Sequence, residues 1–239
     1  MKQYEQVIDV MKNNGGYATL GFLNHYVNVS NWKTKTPYAS IRRIVQDERL
    51  FFKIKPGLWA LKEFQDVVLK KFKIKENNTD EEKNIFSHSY YQGLIVEIGK
   101  TKGYLTYIPP QDKNKLFLEK PLHDIVNTTE IFNFTYNNIV KRAKSIDVIW
   151  FNDRNMPFSF FEVEHSTDIQ NSLLKFDDLQ DFYTEFYIVS SNDRKKEFES
   201  KLNRNAFKNI KKRVRFIDYE FISRVHTKSI ELQKVGDFL

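Results

Sequence analysis

The sequence predicts a two-domain protein of the α/β (α+β) class, in which a small helical domain carrying a β-hairpin is followed by a larger α/β domain built on a mixed sheet. Three observations predict it. A helix-rich opening gives way near residue 50 to short strand-like runs. Residues 70–80 are polar and lose periodicity over their second half, which puts a linker near residues 65–80. Beyond them strands and helices alternate, the pattern of an α/β layer. At 239 residues, with 41% hydrophobic and 15% aromatic content and no internal repeat, the chain is long and apolar enough to fold around sizeable cores.

In the first domain, taken as residues 1–72, Tyr4, Val7, Ile8 and Met11 form a helical face, and Asn13-Asn14-Gly15-Gly16 ends it with turn chemistry. A second helix is expected over Leu20 to Val27. A third begins at Pro37, with Thr36 as its N-cap, and presents Arg42 and Arg43. Phe51 to Lys55 and Leu58 to Leu61, joined by Pro56-Gly57, read as a β-hairpin. Three helices and a projecting hairpin make a winged helix-turn-helix. Residues 1–72 hold twelve Lys/Arg against six Asp/Glu, a net +6 out of +7 for the whole chain, whereas the remainder balances 26 against 25. That asymmetry is the footprint of a polyanion-binding module joined to a body with another task.

The Gly-ended first helix, the Trp32-Lys33-Thr34-Lys35-Thr36-Pro37 entry to the third and Phe51 to Leu61 in the wing together resemble the HARE-type winged helix, over roughly residues 1 to 64. The resemblance implies an accessory DNA-binding module that meets duplex DNA through the third helix and the wing. Lys33, Lys35, Arg42, Arg43 and Lys53 are then the expected contacts to base edges or phosphates.

The second domain is taken as residues 80–239. Glu81 to Lys100 reads as a helix with Ile85, His88, Gln92, Ile95 and Val96 inward, closed by Gly99 or Gly103, and Tyr104 to Ile108 follows as a strand. Residues 109–129 read as loop, and 132–142 as helical only towards the end. Two apolar strands come next, Ser145 to Phe151 and Phe158 to Glu164. An amphipathic helix after them carries Leu173, Leu174, Phe176 and Leu179, with Thr167 or Asp168 as its cap. Phe186 to Val189 is a short strand, Asp193 to Asn209 a charged helix and Val214 to Tyr219 a last strand.

The chemistry concentrates in the two apolar strands. Asp147 is one acid in a nearly all-apolar run, and Glu162 and Glu164 share a face because strand side chains alternate. Ionised carboxylates gathered in apolar surroundings repel one another and raise each other's pKa unless a hard cation neutralises them, and oxygen ligands suit Mg²⁺, for which Mn²⁺ can substitute. The same alternation turns His165 to the opposite face. Cys is absent, which excludes disulfides, thiolate zinc sites and thiol nucleophiles. No His-Glu-x-x-His, Gly-rich phosphate loop or Gly-x-Ser-x-Gly elbow occurs. No run nears the roughly 18 apolar residues of a membrane span, and the opening residues lack a signal core, so a cytoplasmic protein is expected.

From residue 80 to about 220, the order of helix, Asp147 strand, Glu162-Val163-Glu164 strand, helix, strand, helix, strand resembles the restriction-endonuclease-like branch of the PD-(D/E)XK nuclease superfamily. The resemblance implies Asp147 and Glu162 as metal-binding acids, the Val163 carbonyl as a further ligand, Glu97 as an added acid, and His88 and Gln92 as cleft residues. Glu164 stands where that family has Lys, and is taken as a catalytic acid that binds a second cation or acts as a base. The expectation is a Mg²⁺-dependent endonuclease, a restriction enzyme on double-stranded DNA, working as a homodimer because two strand cuts call for two sites. The alternative is a non-catalytic DNA-binding regulator with a degenerate nuclease-like domain. A nuclease of RNA or of a structured or damaged duplex is a third reading, and the winged helix argues against RNA.

Overall fold

The structure is a computed structural model that describes residues 1–236, with side chains through 233. It divides into two compact units, one of residues Met1–Asn78 with Ser223–Leu239, the other of Thr79–Ile222.

The first unit contains α1 (Gln3–Asn13), β1 (Tyr17–Thr19), α2 (Leu20–Tyr26), α3 (Pro37–Ile44), β2 (Phe51–Lys55), β3 (Leu58–Leu61) and α4 (Gln65–Lys71). The strands form an antiparallel sheet in the order β1-β3-β2. Gly57, at φ +76°, makes the hairpin turn that a residue with a Cβ would strain. Val7 and Met11 of α1, Leu23 of α2, Ile41 of α3 and Phe51 of β2 close on one core. Each such side chain stabilises the fold by about 1.5–3 kcal/mol on burial. Thr19 caps α2 by accepting from Phe22 N at 3.1 Å.

Four expectations change here. The short β1 was not foreseen, since three residues carry too little periodicity to be read. Residues 65–71, expected as linker, form α4, which buries Val68 and leads to Phe72, packed edge-on against Tyr17 at 4.9 Å. Thr36 holds the N-cap position of α3, yet its side chain makes no capping bond. The segment from Ser223 belongs to the first unit and not to the second, because Asn24 donates to Glu231 at 2.8 Å. Residues 237–239 of the expected second domain lie outside the described residues.

The second unit runs through α5 (Asp80–Thr101), β4 (Leu105–Tyr107), β5 (Leu116–Phe117), β6 (Lys120–Pro121), α6 (Leu122–Ile125), α7 (Asn137–Ala143), β7 (Val148–Phe151), β8 (Pro157–Glu164), α8 (Ile169–Asp177), β9 (Glu185–Ser190), α9 (Lys195–Leu202) and β10 (Val214–Asp218). α10 (Tyr219–Gly236) has its first turn counted in this unit. The five-stranded sheet is mixed, in the order β10-β9-β8-β7-β4, parallel across β8, β9 and β10 and antiparallel across β8, β7 and β4. One face buries Phe160, Phe186 and Ile188 against Leu173 and Phe176 of α8 and Phe198 of α9. On the other face Trp150 donates to Ile95 O of α5 at 3.2 Å. Gly99 permits that approach, because a Cβ there would stand 2.5 Å from the Trp150 ring nitrogen.

α5 starts at a reciprocal capping box between Thr79 and Glu82. Ile85, expected inward, is 44% exposed, and so is Leu174 of α8 at 46%: each sits at the edge of a helical stripe that the core fills with other residues. Asp168, not Thr167, caps α8 through Gln170 N. The expected helix over 193–209 is shortened to α9, with single 3-10 turns at Asn192–Arg194 and Asn205–Phe207. Among the described residues, no helix is long and apolar enough to cross a membrane.

Candidate active site

Where β8 and β9 end side by side, Glu164 lies opposite Ser190 and Glu162 opposite Ile188. Carboxyl ends of parallel strands are the common ligand position of α/β sheets. Period-two alternation puts Glu162 and Glu164 on the same face as Phe160, so both acids point towards α8. Only 2% of Glu162 and 4% of Glu164 is exposed.

α8 supplies their partners. Lys175 Nζ lies 2.8 and 3.0 Å from the two oxygens of Glu162 and donates to Ser145 O at 3.1 Å. Ser172 Oγ lies 2.9 Å from Glu162 Oε2 and also contacts Glu164 Oε1, and Thr167 Oγ1 donates to Glu164 Oε2. One serine hydroxyl has one hydrogen to give, so two carboxylates on Ser172 require that one of them carries a proton or that a cation intervenes. The electrostatics agree. Burial, and then the charge of Asp147, push the Glu162 carboxyl well above the usual carboxylate range, against the pull of Lys175. Burial likewise opposes the Lys175 ammonium, but Glu162 outweighs it and the lysine is raised. The Lys175 ammonium, in direct contact with both oxygens of Glu162, is the partner that opposes the rise of that carboxyl.

Asp147 immediately precedes β7. Its Oδ2 accepts from Val163 N at 2.7 Å, and its Oδ1 lies 3.4 Å from His88 Nε2 on α5. His88 Nε2 is also 3.7 Å from Asp112, which Lys115 holds at 2.6 Å and Gln92 Nε2 at 2.7 Å. Gln92 further donates to Asp147 O at 3.1 Å, and its buried Oε1 has no partner among the described residues. Burial works against a charged His88, yet Asp147 and Asp112 lift the imidazole to about 10. For Asp112, burial raises and the bonds from His88, Lys115 and Gln92 lower, leaving the carboxyl at about 2. His88 and Lys175 are thus two resident cations flanking Asp147. His88, Asp112 and Asp147 bring one ligand atom each within 4.8 Å of one another, close enough to share a metal ion.

These groups open on a cavity of about 670 Å³ whose lining includes His88, Asp147, Glu162, Val163, Glu164 and Lys175. The structure therefore gathers Asp147, Glu162, Val163, Glu164 and His88, and sets Gln92 behind them. Glu97 is not among the lining residues. It lies nine positions beyond His88 on α5, about 13 Å along a helix rising 1.5 Å per residue. His165, expected to face away, lines the cavity, because β8 ends at Glu164 and the alternation stops with it; its Nδ1 is 3.2 Å from Tyr219 Oη. Lys175, Ser172 and Asp112 were missed in the sequence. For the first two a signal existed: Ser172 and Lys175 are polar positions one turn apart, bordering the apolar stripe of the helix that follows the two-acid strand. Asp112 lies in a loop and gave none. In the first unit Lys33, Lys35, Arg42, Arg43 and Lys53 are all exposed.

A mixed sheet with carboxylates at its strand ends and a lysine reaching them from α8 defines a class of α/β sites whose donors could hold a metal ion, and comparison with known proteins gives it a family. The chain belongs to the family described as the Type II restriction enzyme NmeDI C-terminal domain, whose model matches residues 67–237. It is 25% identical over 134 residues to the Type II restriction enzyme NmeDI of Neisseria meningitidis serogroup C, a match covering 52% of this chain and 38% of that relative. The aligned part thus amounts to less than half of the relative's length. No solved structure matches the chain.

Proposed function

We infer that the chain is a metal-dependent endonuclease hydrolysing phosphodiester bonds of double-stranded DNA, a restriction enzyme of PD-(D/E)XK type whose first unit is a HARE-type winged helix that holds the duplex. The observation that carries this reading is the burial of Glu162 and Glu164 beside Asp147 and Lys175 in one open cavity, in a chain whose family takes its description from a Type II restriction enzyme.

The donor set fits a hard divalent ion. Asp147, Glu162 and the Val163 carbonyl would hold Mg²⁺ through oxygen, and His88, on giving up its proton, would add with Asp112 an imidazole that suits Mn²⁺. When bound, such an ion polarises the phosphoryl oxygen and lowers the pKa of its water. The remaining work falls to the chain's own groups. Val163 N and His88 fix the two oxygens of Asp147. Ser172 and Thr167 fix Glu164, leaving it at the cavity to take up a proton. Glu164 occupies the strand position where the family resemblance calls for Lys, and Lys175 brings an ammonium to Glu162 from α8 instead, placed to offset negative charge developing on the phosphoryl group. Lys33, Lys35, Arg42, Arg43 and Lys53 are assigned to the duplex. Two strand cuts call for a homodimer in a cytoplasmic setting.

The test is incubation of the purified chain with unmethylated and with cytosine- or adenine-methylated plasmid, in Mg²⁺ or EDTA, beside Asp147→Ala. Discrete fragments that need Mg²⁺ and vanish in the variant are expected. DNA that is bound but intact in every condition would instead establish the non-catalytic regulator.

A further inference from the structure

Two lysines line the cavity, Lys175 from α8 and Lys115 from the loop between β4 and β5, and their hydrogens are committed differently. Lys175 faces both oxygens of Glu162 and the Ser145 carbonyl, so its three ammonium hydrogens all have acceptors within the chain. Lys115 has one partner among the described residues, Asp112 Oδ1 at 2.6 Å, and 32% of its side chain is exposed. Two of its hydrogens remain to be given. We propose that Lys115 contacts the substrate of the candidate nuclease, donating to a non-bridging oxygen of the phosphodiester that is cut.

The local fold holds Lys115 at this position. Its N–H donates to Asp112 O at 2.9 Å, and its carbonyl accepts from Leu122 N at 2.9 Å across the turn that joins β5 and β6. Ser89 Oγ of α5 donates to Leu116 O at 2.7 Å, and Phe117 covers Gly93 of α5, where any Cβ would collide with its ring. The residues that follow Lys115 are therefore fastened to the helix that carries His88. Asp112 completes the placement by dividing its two oxygens. Oδ1 takes Lys115, whereas Oδ2 meets Gln92 at 2.7 Å and His88 at 3.7 Å, and His88 in turn lies 3.4 Å from Asp147. Cation and acid alternate from Lys115 to Asp147, so the ammonium stands beside the acids of the cavity and not at a distant edge.

A phosphodiester carries its negative charge on the two non-bridging oxygens, and Asp147, Glu162 and Glu164 repel it. An ammonium with hydrogens to spare offsets that repulsion by its charge and by a charge-assisted hydrogen bond. Lys175 supplies charge from the opposite partner, but to bond the substrate it would have to let go of Glu162 or Ser145. Lys115 can reach a phosphate oxygen while it keeps Asp112. It retains its proton throughout and takes no part in the bond changes of hydrolysis.

The contact presupposes the nuclease reading, and the experiment separates the two. The site cut in the plasmid digestion is placed in a short duplex, once with its natural phosphodiester and once with a methylphosphonate at the cut position, whose methyl group removes the charge. Binding of the full chain to both duplexes is measured in EDTA for the wild type, Lys115→Gln, Lys115→Arg and Lys175→Met. Gln leaves Asp112 an N–H donor without the charge. The affinity for the natural duplex relative to the methylphosphonate should fall about tenfold in Lys115→Gln, the size of one charge-assisted hydrogen bond, and stay close to wild type in Lys115→Arg. Because this ratio compares two ligands on one folded protein, a loss of stability alone does not move it. An unchanged ratio in Lys115→Gln would reduce the lysine to a counter-ion of Asp112 and overturn the contact. A ratio that falls only in Lys175→Met would overturn it too, in favour of Lys175. A wild-type chain that cuts no plasmid overturns the nuclease reading, and the contact with it.

Discussion

The two units handle charge in opposite ways. The first keeps its cations outside an apolar core: Arg42, Arg43, Lys33 and Lys35 are exposed while Ile41, Val45 and Phe51 beside them are buried. The second takes Glu162, Glu164 and Asp112 inside and answers them with Lys175, Lys115 and His88. Surface charges interact through water and are weak singly, so they act by number and field. Buried charges are costly unless paired, so each is tied to named neighbours and its loss is felt. Under the proposed function the first unit attracts a polyanion and the second does chemistry on one bond.

The sharpest break of the contrast comes from the acids. Asp147→Ala or Glu162→Ala should reduce Mg²⁺-dependent cleavage by about 10³-fold or more, the worth of several kcal/mol of transition-state stabilisation by a held ion. The far-UV spectrum should be unchanged, and the rise in thermal midpoint that Mn²⁺ gives the wild type should disappear. Cleavage within tenfold of wild type in both variants would remove the site. Next in size, Lys175→Met keeps the length of the side chain and removes its charge, and should cost about 10²-fold in cleavage, the scale of one lost electrostatic contact. Because Glu162 then loses its 2.8 Å partner, the metal-free midpoint should fall, and Mn²⁺ should restore part of it. A variant as active as wild type would make the lysine a structural counter-ion only.

The same contrast explains what was legible in the sequence. Helices of the first unit announce themselves by period and by punctuation such as Gly16 and Pro37, and its exposed cations are visible as composition. Asp147, Glu162 and Glu164 were legible because an acid in an apolar strand breaks a local pattern. Their partners were not. Lys175 is 13 residues from Glu162 and reaches it only because α8 folds back over the sheet, and Asp112 meets His88 from a loop whose conformation no period encodes. His165 failed for a related reason, since alternation holds only while the strand lasts.

Asp112 gives a stability effect of the third rank. Its folded pKa of about 2 lies below the ordinary 3.8, so it contributes stability that is fully present above the unfolded value and is lost as pH falls through 3.8 towards 2. The shift is worth about 2 kcal/mol, a factor of about 30. Asp112→Asn should therefore be less stable than wild type at pH 5, with the gap closing towards pH 2, as followed by urea unfolding across that range. A gap independent of pH would mean that the loss is one of packing. Smaller again, Arg42→Ala with Arg43→Ala should weaken duplex binding about tenfold and flatten the salt slope by about 2, with folding unaltered. Unchanged binding would move the duplex off α3.

The smallest effect is the most direct test of the contrast, because Asp47 of the first unit is also held at about 2, by hydrogen bonds from Arg49 first of all. Titration alone would rank Asp47 and Asp112 as equals. Their surroundings do not: the Arg49 side chain is 87% exposed, so water and salt screen its pairing with Asp47, whereas Asp112 is 3% exposed among Lys115, Gln92 and His88. Asp47→Asn should leave the urea midpoint essentially where it is at pH 5 and at pH 2, and what little change there is should vanish in about 1 M salt, where the screening length is about 3 Å. Asp112→Asn should keep most of its pH-dependent penalty in the same salt. Equal penalties in the two variants would mean that burial does not set the worth of these carboxylates, and the division between an attracting unit and a reacting unit would lose its physical basis.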